Sequence, residues 1–432
     1  MHFNRLPLNV KKYLARNGEF FRNPDRTKSK LYDLVVVIPA LAELENSKKL
    51  LKSLENNPKS KNTLVLIVVN NRAESTNKVK TENKKLIEFL GSRIRKTRKF
   101  DLNFIDASSP GKELPEKFAG VGLARKIGMD YALTVFDYSS NSKKIIACLD
   151  ADCLVEENYF RTITDNYTKL NLSAAVIDFE HQTPNDSKQH LAIVNYEIFL
   201  RYYVLGLKYA NSLYAFHTIG STITVDYENY IKIGGMNKKK AGEDFYFMEK
   251  LAKVTHIGRL KTTKVYPSAR KSWRVPFGTG QRISKFLTNS RDEYFLYNPE
   301  SFEILKKWLE VFNSTEVSDA KEYLKEAEKI NPQLKNFLKS AGFENDWQKI
   351  LKNSGNLRQI MHQKKLWFDG FRTLKLIHFL RDNGYPDIEM FDAVDILLSK
   401  LGTETGINRT SGIPPLETQL EYLQKLKEKE LD

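Results

Sequence analysis

The chain has 432 residues, 41% of them apolar and 28% charged, with 69 Lys and Arg against 53 Asp and Glu for a formal net charge of +16. These are the proportions of an ordinary globular protein, long enough for two domains or one large domain with an appendage. The positive excess points to an acidic partner: a phosphate-rich small molecule, an anionic lipid surface or nucleic acid. No window of about eighteen uncharged apolar residues occurs, so no membrane-spanning helix is expected, and the first thirty residues lack the apolar stretch of a secretory signal. A cytoplasmic protein is therefore expected, with peripheral contact at the inner face of an anionic membrane left open. Cys148 and Cys153 have no metal-site spacing and are expected as buried free thiols, which argues against zinc.

Residues 1–30 carry eight Lys or Arg against Glu19 and Asp25 and read as a basic lead-in. Leu34-Val35-Val36-Val37-Ile38 is the unbroken apolar run of a buried parallel strand, which Pro39 is expected to end. Helical spacing follows through Leu50, Leu51 and Leu54, and a second strand, 64–69, closes on Asn70-Asn71. A polar helix is expected over 78–90, a third strand over 101–106, and a helix opened by glycines over 120–135. Then Ile145 to Leu149 leads into Asp150-Ala151-Asp152. Alternate residues of a strand share a face, so the two aspartates are expected to point the same way. A carboxylate pair there suits Mg²⁺ or Mn²⁺, hard ions that complete their shell with phosphate and water. Taken alone, it reads more readily as a strand end before a helix cap.

This alternation predicts βαβ units and a mostly parallel sheet, with a ligand at the carboxyl ends of the strands, where Pro39, Asn70 and the aspartate pair fall. Gly120-Val121-Gly122 is not a dinucleotide fingerprint, and there is no P-loop. Farther on, 174–179 and 222–225 read as strands. Residues 190–211 read as a helix whose stripe of Tyr196, Phe199, Tyr202, Tyr203 and Tyr209 is expected to face a core. Gly234-Gly235 marks a tight turn, and Glu243-Asp244 opens a helical pattern, where acids also suit the positive helix end. Arg270 and Arg274 precede a glycine-bearing loop. From about 284 the spacing is helical to the last residue, so the expected division is a lead-in (1–30), an α/β domain (31–282) and a helical domain (283–432).

The order of these motifs resembles that of the family 2 glycosyltransferases, whose GT-A fold is a Rossmann-like, mostly parallel α/β sheet flanked by helices. The likeness covers roughly residues 33–282. It rests on Val35-Val36-Val37-Ile38-Pro39-Ala40-Leu41-Ala42-Glu43, on Asn70-Asn71-Arg72, on Gly122-Leu123-Ala124-Arg125, on Asp150-Ala151-Asp152, on Gly234-Gly235-Met236 and on Glu243-Asp244. The chain departs from the family at Asn70, commonly Asp, and at Ala42, usually Asn. The Q-x-x-R-W of processive polymer synthases is absent, since Gln281 is followed by Arg282, Ile283, Ser284 and Lys285.

The resemblance implies inverting transfer of a hexose or aminohexose from a UDP- or GDP-sugar to a hydroxyl of a glycan, lipid-linked or small-molecule acceptor, assisted by Mn²⁺ or Mg²⁺. It implies Asp152 as metal ligand, Asp150 sharing the metal or holding the ribose, and Pro39, Ala40, Glu43 and Asn70 as the nucleoside pocket. Arg125 would lie near base or phosphate, and Arg270 and Arg274 near the diphosphate. Asp244 would be the general base, with Glu243 supporting it or binding acceptor. His217 and His256 are read as ordinary polar or packed side chains. Two other readings stand beside this one: a catalytically silent GT-A scaffold acting as an interaction module, and a nucleotidyltransferase on a similar open sheet. The latter would need a glycine- and lysine-rich loop where Ala40-Leu41-Ala42-Glu43 stands. Nucleic acid is not an expected partner, because the cations are dispersed and strand-end carboxylates repel phosphate.

Overall fold

A computed structural model describes residues 5–24, 30–60, 62–94, 96–271, 278–288, 293–409 and 412–432. The chain forms two compact units, one from Met1–Pro184 with Thr218–Gln281 and the other from Asn185–His217 with Arg282–Asp432. The first contains α1 (Leu8–Asn17), β1 (Leu34–Ala40), α2 (Leu44–Glu55), β2 (Thr63–Asn70), α3 (Asn77–Arg93), β3 (Asp101–Ala107), α4 (Val121–Val135), β4 (Ile145–Cys148), β5 (Leu154–Val155), α5 (Tyr159–Lys169) and β6 (Ala174–Phe179). After α6 (Ser187–Tyr209), which belongs to the second unit, it resumes with β7 (Ile223–Asp226), α7 (Tyr227–Lys232), α8 (Glu243–Ala252) and β8 (Ile257–Tyr266).

These strands make one sheet in the order β3-β2-β1-β4-β7-β6-β8-β5. Only β5 and β7 run against the others, so the carboxyl ends of the remaining six lie along one edge. This is the α/β class that the sequence predicted, a mostly parallel sheet flanked by helices. Strands β1 and β2 are buried at every position, because their residues are apolar on both faces and both faces are covered.

Pro39 does not end β1, which pairs with β2 through Ala40. It ends β4 instead. The Leu149 amide donates to Val37 O at 3.1 Å. The next rung of a parallel ladder would need an N–H on residue 39, which proline lacks. The chain leaves the sheet there, so Asp150 and Asp152 lie in a turn closed by Cys153 N donating to Asp150 O at 3.1 Å. The expectation that both sit on a strand and share a face is therefore corrected. Cys148 and Cys153 are buried free thiols.

The N-terminal stretch is more than a solvated arm. Tyr13 of α1 is buried, and its hydroxyl donates to Asp130 Oδ1 at 2.8 Å, which also accepts from Tyr230 at 2.7 Å. Lys126 Nζ, 2.7 Å from Asp130 Oδ2, completes the cluster. Gly235, at φ 74°, closes over this tyrosine: a Cβ there would stand 1.9 Å from the Tyr13 hydroxyl.

The second unit continues from α6 with α9 (Thr279–Leu287, beginning in the first unit), β9 (Phe295–Leu296), α10 (Pro299–Phe312), α11 (Ala320–Ile330), α12 (Pro332–Ser340), α13 (Phe343–Asn353), α14 (Leu357–Trp367), α15 (Gly370–Asp382), β10 (Ile388–Glu389), α16 (Met390–Lys400) and α17 (Leu416–Leu431). Residues 185–217 thus differ from the expected division, since they group with the helical region. The aromatic stripe gives the reason: Tyr202 packs edge-on against Phe302 of α10, and a Cβ on Gly206 would meet the same ring at 2.5 Å. The core is built around Trp308, Phe312, Tyr323, Phe343 and Trp347. Arg201 of α6, buried, bonds Glu197 and, at 2.7 Å, Glu430 of α17. Among the described residues no helix is long and apolar enough to cross a membrane.

Candidate active site

The sequence-predicted residues converge on the carboxyl edge of the sheet in two interlocked ion-pair groups. Arg125, at the start of the second turn of α4, donates through one guanidinium nitrogen to Glu243 and through another to Asp150 at 2.5 Å. Arg270, just past β8, donates Nε to Asp152 Oδ2 at 2.9 Å and a second nitrogen to Glu43. One group thus joins the first aspartate of the D-x-D to the E-D pair, and the other joins the second aspartate to the acid after β1.

Close backbone approach holds the first group. Gly220 packs under Arg125, where a Cβ would fall 2.5 Å from its guanidinium. At Gly122 a Cβ would fall 2.4 Å from Lys239 O and 3.0 Å from Glu243 Cβ, so glycine lets the segment before α8 reach α4. Arg125 and Glu243 are buried, and Asp244 and Asp150 are half-buried. Burial alone would lower the Arg125 pKa, but the carboxylates of Asp150 and Glu243 hold it above the arginine range. Burial raises both Glu243 and Asp244, against the pull of Arg125. Asp244 Oδ1 accepts from Phe245 N at 2.8 Å.

In the second group, burial pushes Asp152 up to about 6, opposed by Arg270 and assisted by Asp150 and Glu43. Arg270 is held above the arginine range by Asp152 and Glu43, against the lowering effect of burial. Both Glu43 oxygens are engaged, Oε1 by Arg270 and Oε2 by Asn46 Nδ2 at 2.6 Å.

Pro39 and Ala40 are buried in β1, and Ala40 O accepts from Asn70 Nδ2 at 3.1 Å. That nitrogen also donates to Val68 O at 3.3 Å. Two carbonyls fix the orientation of the amide, so Asn70 offers a ligand only its acceptor oxygen. Arg274 lies outside the described residues. His217 belongs to the second unit, 2.8 Å from Glu430 Oε1, and His256 precedes β8, at the sheet's other edge.

Two positioning residues were missed. Asn83 of α3 accepts from Ala42 N at 2.9 Å and donates to Asn70 O at 3.0 Å and Asn71 Oδ1 at 2.7 Å, joining the turns after β1 and β2. It occupies a core-facing place in the series Val79, Asn83, Leu86, Leu90, and a lone buried amide there was the available signal. Gln182 donates to Asp152 O at 2.9 Å and Tyr266 O at 2.7 Å, fastening the aspartate turn to β8. Nothing in its surrounding sequence marks it. Ala42, where the resembled family carries Asn, sits at φ 53°, a left-handed conformation that Asn adopts more readily.

Among the described residues no group of three or more His, Cys, Asp and Glu side chains could hold a metal. The donor chemistry nevertheless fits a hard divalent ion that draws most of its shell from phosphate and water. Glu43, Asp150, Asp152, Glu243 and Asp244 place five carboxylates around the two guanidiniums of Arg125 and Arg270. That excess of negative charge would turn a diphosphate away without a further cation.

No family model matches the chain. A curated relative, an uncharacterised protein of Aquifex aeolicus (strain VF5), is 29% identical over 158 residues, which cover 34% of this chain and 51% of that protein. The chain thus matches about half the length of that relative. Among solved structures, Staphylococcus aureus TarS 1–349 in complex with UDP-GlcNAc is 10% identical over 83% of this chain and 99% of that one, with a TM-score of 0.40. Its complex with UDP gives 12% identity over 84% and 95%, with a TM-score of 0.39. The mannosyltransferase PcManGT from Pyrobaculum calidifontis, in complex with GDP-Man and Mn²⁺, gives 11% identity over 98% and 94%, with a TM-score of 0.36.

Proposed function

We propose that the chain is an inverting, metal-assisted glycosyltransferase that moves a sugar from a UDP- or GDP-sugar to a hydroxyl acceptor. The observation that carries this reading is the pairing of the two arginines with motif acids from distant parts of the chain: Arg125 with Asp150 and Glu243, Arg270 with Asp152 and Glu43. A catalytically silent scaffold has no need of five partly desolvated carboxylates, which are costly to bring together.

Asp150 and Asp152 would hold Mn²⁺ or Mg²⁺, which when bound neutralises the charge of the leaving diphosphate. Arg270 can exchange its carboxylate partners for phosphate oxygens, which match its fork equally well. Arg125 holds Glu243 in place and leaves Asp244 with the E-D pair's proton-accepting role. As the acceptor oxygen bonds to the anomeric carbon, the bond from that carbon to the diphosphate breaks and the hydroxyl proton passes to Asp244. Burial raises the proton affinity of that carboxyl, which suits a general base. Asn70, an acceptor only, suits a base with a ring N–H. Uracil and guanine have one at the pairing edge, and cytosine does not.

Thermal shift with UDP, GDP and CDP, each with and without Mn²⁺, tests the reading. UDP or GDP with Mn²⁺ should stabilise the protein by ~2.7 kcal/mol at a hundredfold excess over Kd, with CDP the weakest. A melt unmoved by every nucleotide, even with metal, would overturn the proposal.

A further inference from the structure

The opposite edge of the same sheet carries charge of the other kind. Residues 93–99 (Arg-Ile-Arg-Lys-Thr-Arg-Lys) contain five cations and no acid, just before β3. Ser60 N donates to Lys99 O at 2.7 Å, which brings Lys59, just before β2, alongside. Lys59, Lys96, Arg98 and Lys99 are exposed and make no ion pair among the described residues, whereas their neighbours Lys30 and Arg93 are paired with Asp101 and Glu55. At the carboxyl edge, by contrast, both arginines are neutralised by acids.

Two further features share this amino edge. A cavity of about 400 Å³ opens beside Ser60, Asn62, Thr63 and Lys143, with the carboxylates of Asp33 and Asp165 also in its wall. Two residues past Thr168, Leu170 is 61% exposed, an apolar side chain in water beside the start of β6. From β3 to β6 the sheet spans six strands, about 24 Å at the usual ~4.8 Å spacing.

We propose that this amino edge docks the first unit on an anionic phospholipid surface. Unpaired cations meet the headgroup phosphates, and Leu170 enters the interface. The combination favours a membrane over a soluble polyanion, which would give Leu170 nothing to enter. The inference adds a partner to the sugar-transfer reading and depends on it only for what the opposite edge does. The eight residues of β2 separate the two edges by about 23 Å, well beyond the ~8 Å screening length at physiological salt. Changes at one edge should therefore leave the other alone.

The full chain should sediment with vesicles of phosphatidylcholine containing about one-third phosphatidylglycerol, not with phosphatidylcholine alone, and be released by high salt. Each cation at such a surface is worth about a fivefold change in partitioning. The triple variant Lys96→Ala/Arg98→Ala/Lys99→Ala should thus lose about a hundredfold. The triple variant Lys78→Ala/Lys80→Ala/Lys84→Ala removes the same charge from the far end of α3 and should lose severalfold at most. Leu170→Ser should weaken vesicle binding and leave binding of long-chain polyphosphate unchanged. Failure to bind the mixed vesicles, equal losses in the two triple variants, or polyphosphate binding with the same residue dependence but no vesicle binding would each overturn the proposal. Nucleotide thermal shifts on the same proteins separate the two readings. Vesicle binding without any nucleotide shift keeps the docking and sinks sugar transfer, and the reverse keeps sugar transfer and sinks the docking.

Discussion

The α/β unit holds 43 Lys and Arg against 27 Asp and Glu, while the helical unit holds 26 against 26, so the whole net charge of +16 belongs to the first. Buried cations are held in two different ways. Arg125 is gripped by two carboxylates, and its pKa is held high. Lys364 of the helical unit, with no exposed surface, sits among the rings of Phe312, Tyr323 and Trp347 and donates to Ser314 O at 2.8 Å. Burial there lowers its pKa to about 8. Arg201 of the helical unit is clamped by acids as well, but its partners Glu197 and Glu430 are 3% and 1% exposed, whereas Arg125's partner Asp150 is 36% exposed and within reach of a ligand. A cation among rings and carbonyls serves packing.

The largest expected effect falls on turnover in the α/β unit. Asp244→Asn should keep the fold and lower kcat by about 10²–10⁴, the usual worth of a general base. An Asp244→Asn enzyme that transfers sugar normally would remove Asp244 from that role. A matched pair of variants then sharpens the contrast. Arg125→Met leaves buried Glu243 without its cation, and Trp308→Ala opens a cavity in the helical core. Each should cost about 3–5 kcal/mol in denaturant unfolding. Only Arg125→Met should also lose the nucleotide-induced thermal shift. Equal loss of that shift in both would erase the distinction.

The smallest effect is a pH slope. Between about pH 8 and the unfolded value near 10.5, folded Lys364 binds fewer protons than it does unfolded, so its contribution makes stability rise with pH. Below that window the penalty of the buried charge is fully present. Lys364→Met should flatten the rise, and a wild-type slope no steeper than the variant's across pH 8–10 would contradict this reading.

What was legible in the sequence had strong local patterning. Strands β1 and β2 announced themselves because covering both faces demands unbroken apolar runs. Strand β8 did not, because Lys, Arg and Thr interrupt its burial from Ile257 to Tyr266 and its register slips opposite Ile177 and Asp178. The motif acids were visible through their order along the chain. Their partners were not: Arg125 and Glu243 are 118 residues apart, and only the folded chain joins them. Asn83 and Gln182 act through backbone atoms of other segments, which side-chain pattern does not encode. The placing of α6 was also hidden, since an aromatic stripe says that a helix has a core to face without saying which one.

Pro39 has a consequence out of proportion to its chemistry. It meets the site through a hydrogen atom that it does not have. Any other residue at that position would supply a donor to Leu149 O, let β4 zip one rung further, and draw Asp150 toward the sheet and away from Arg125. The spacing between the two aspartates and their arginines is thus set by a vacancy in the ladder. A search for residues that touch substrate would pass over the one whose silence positions them.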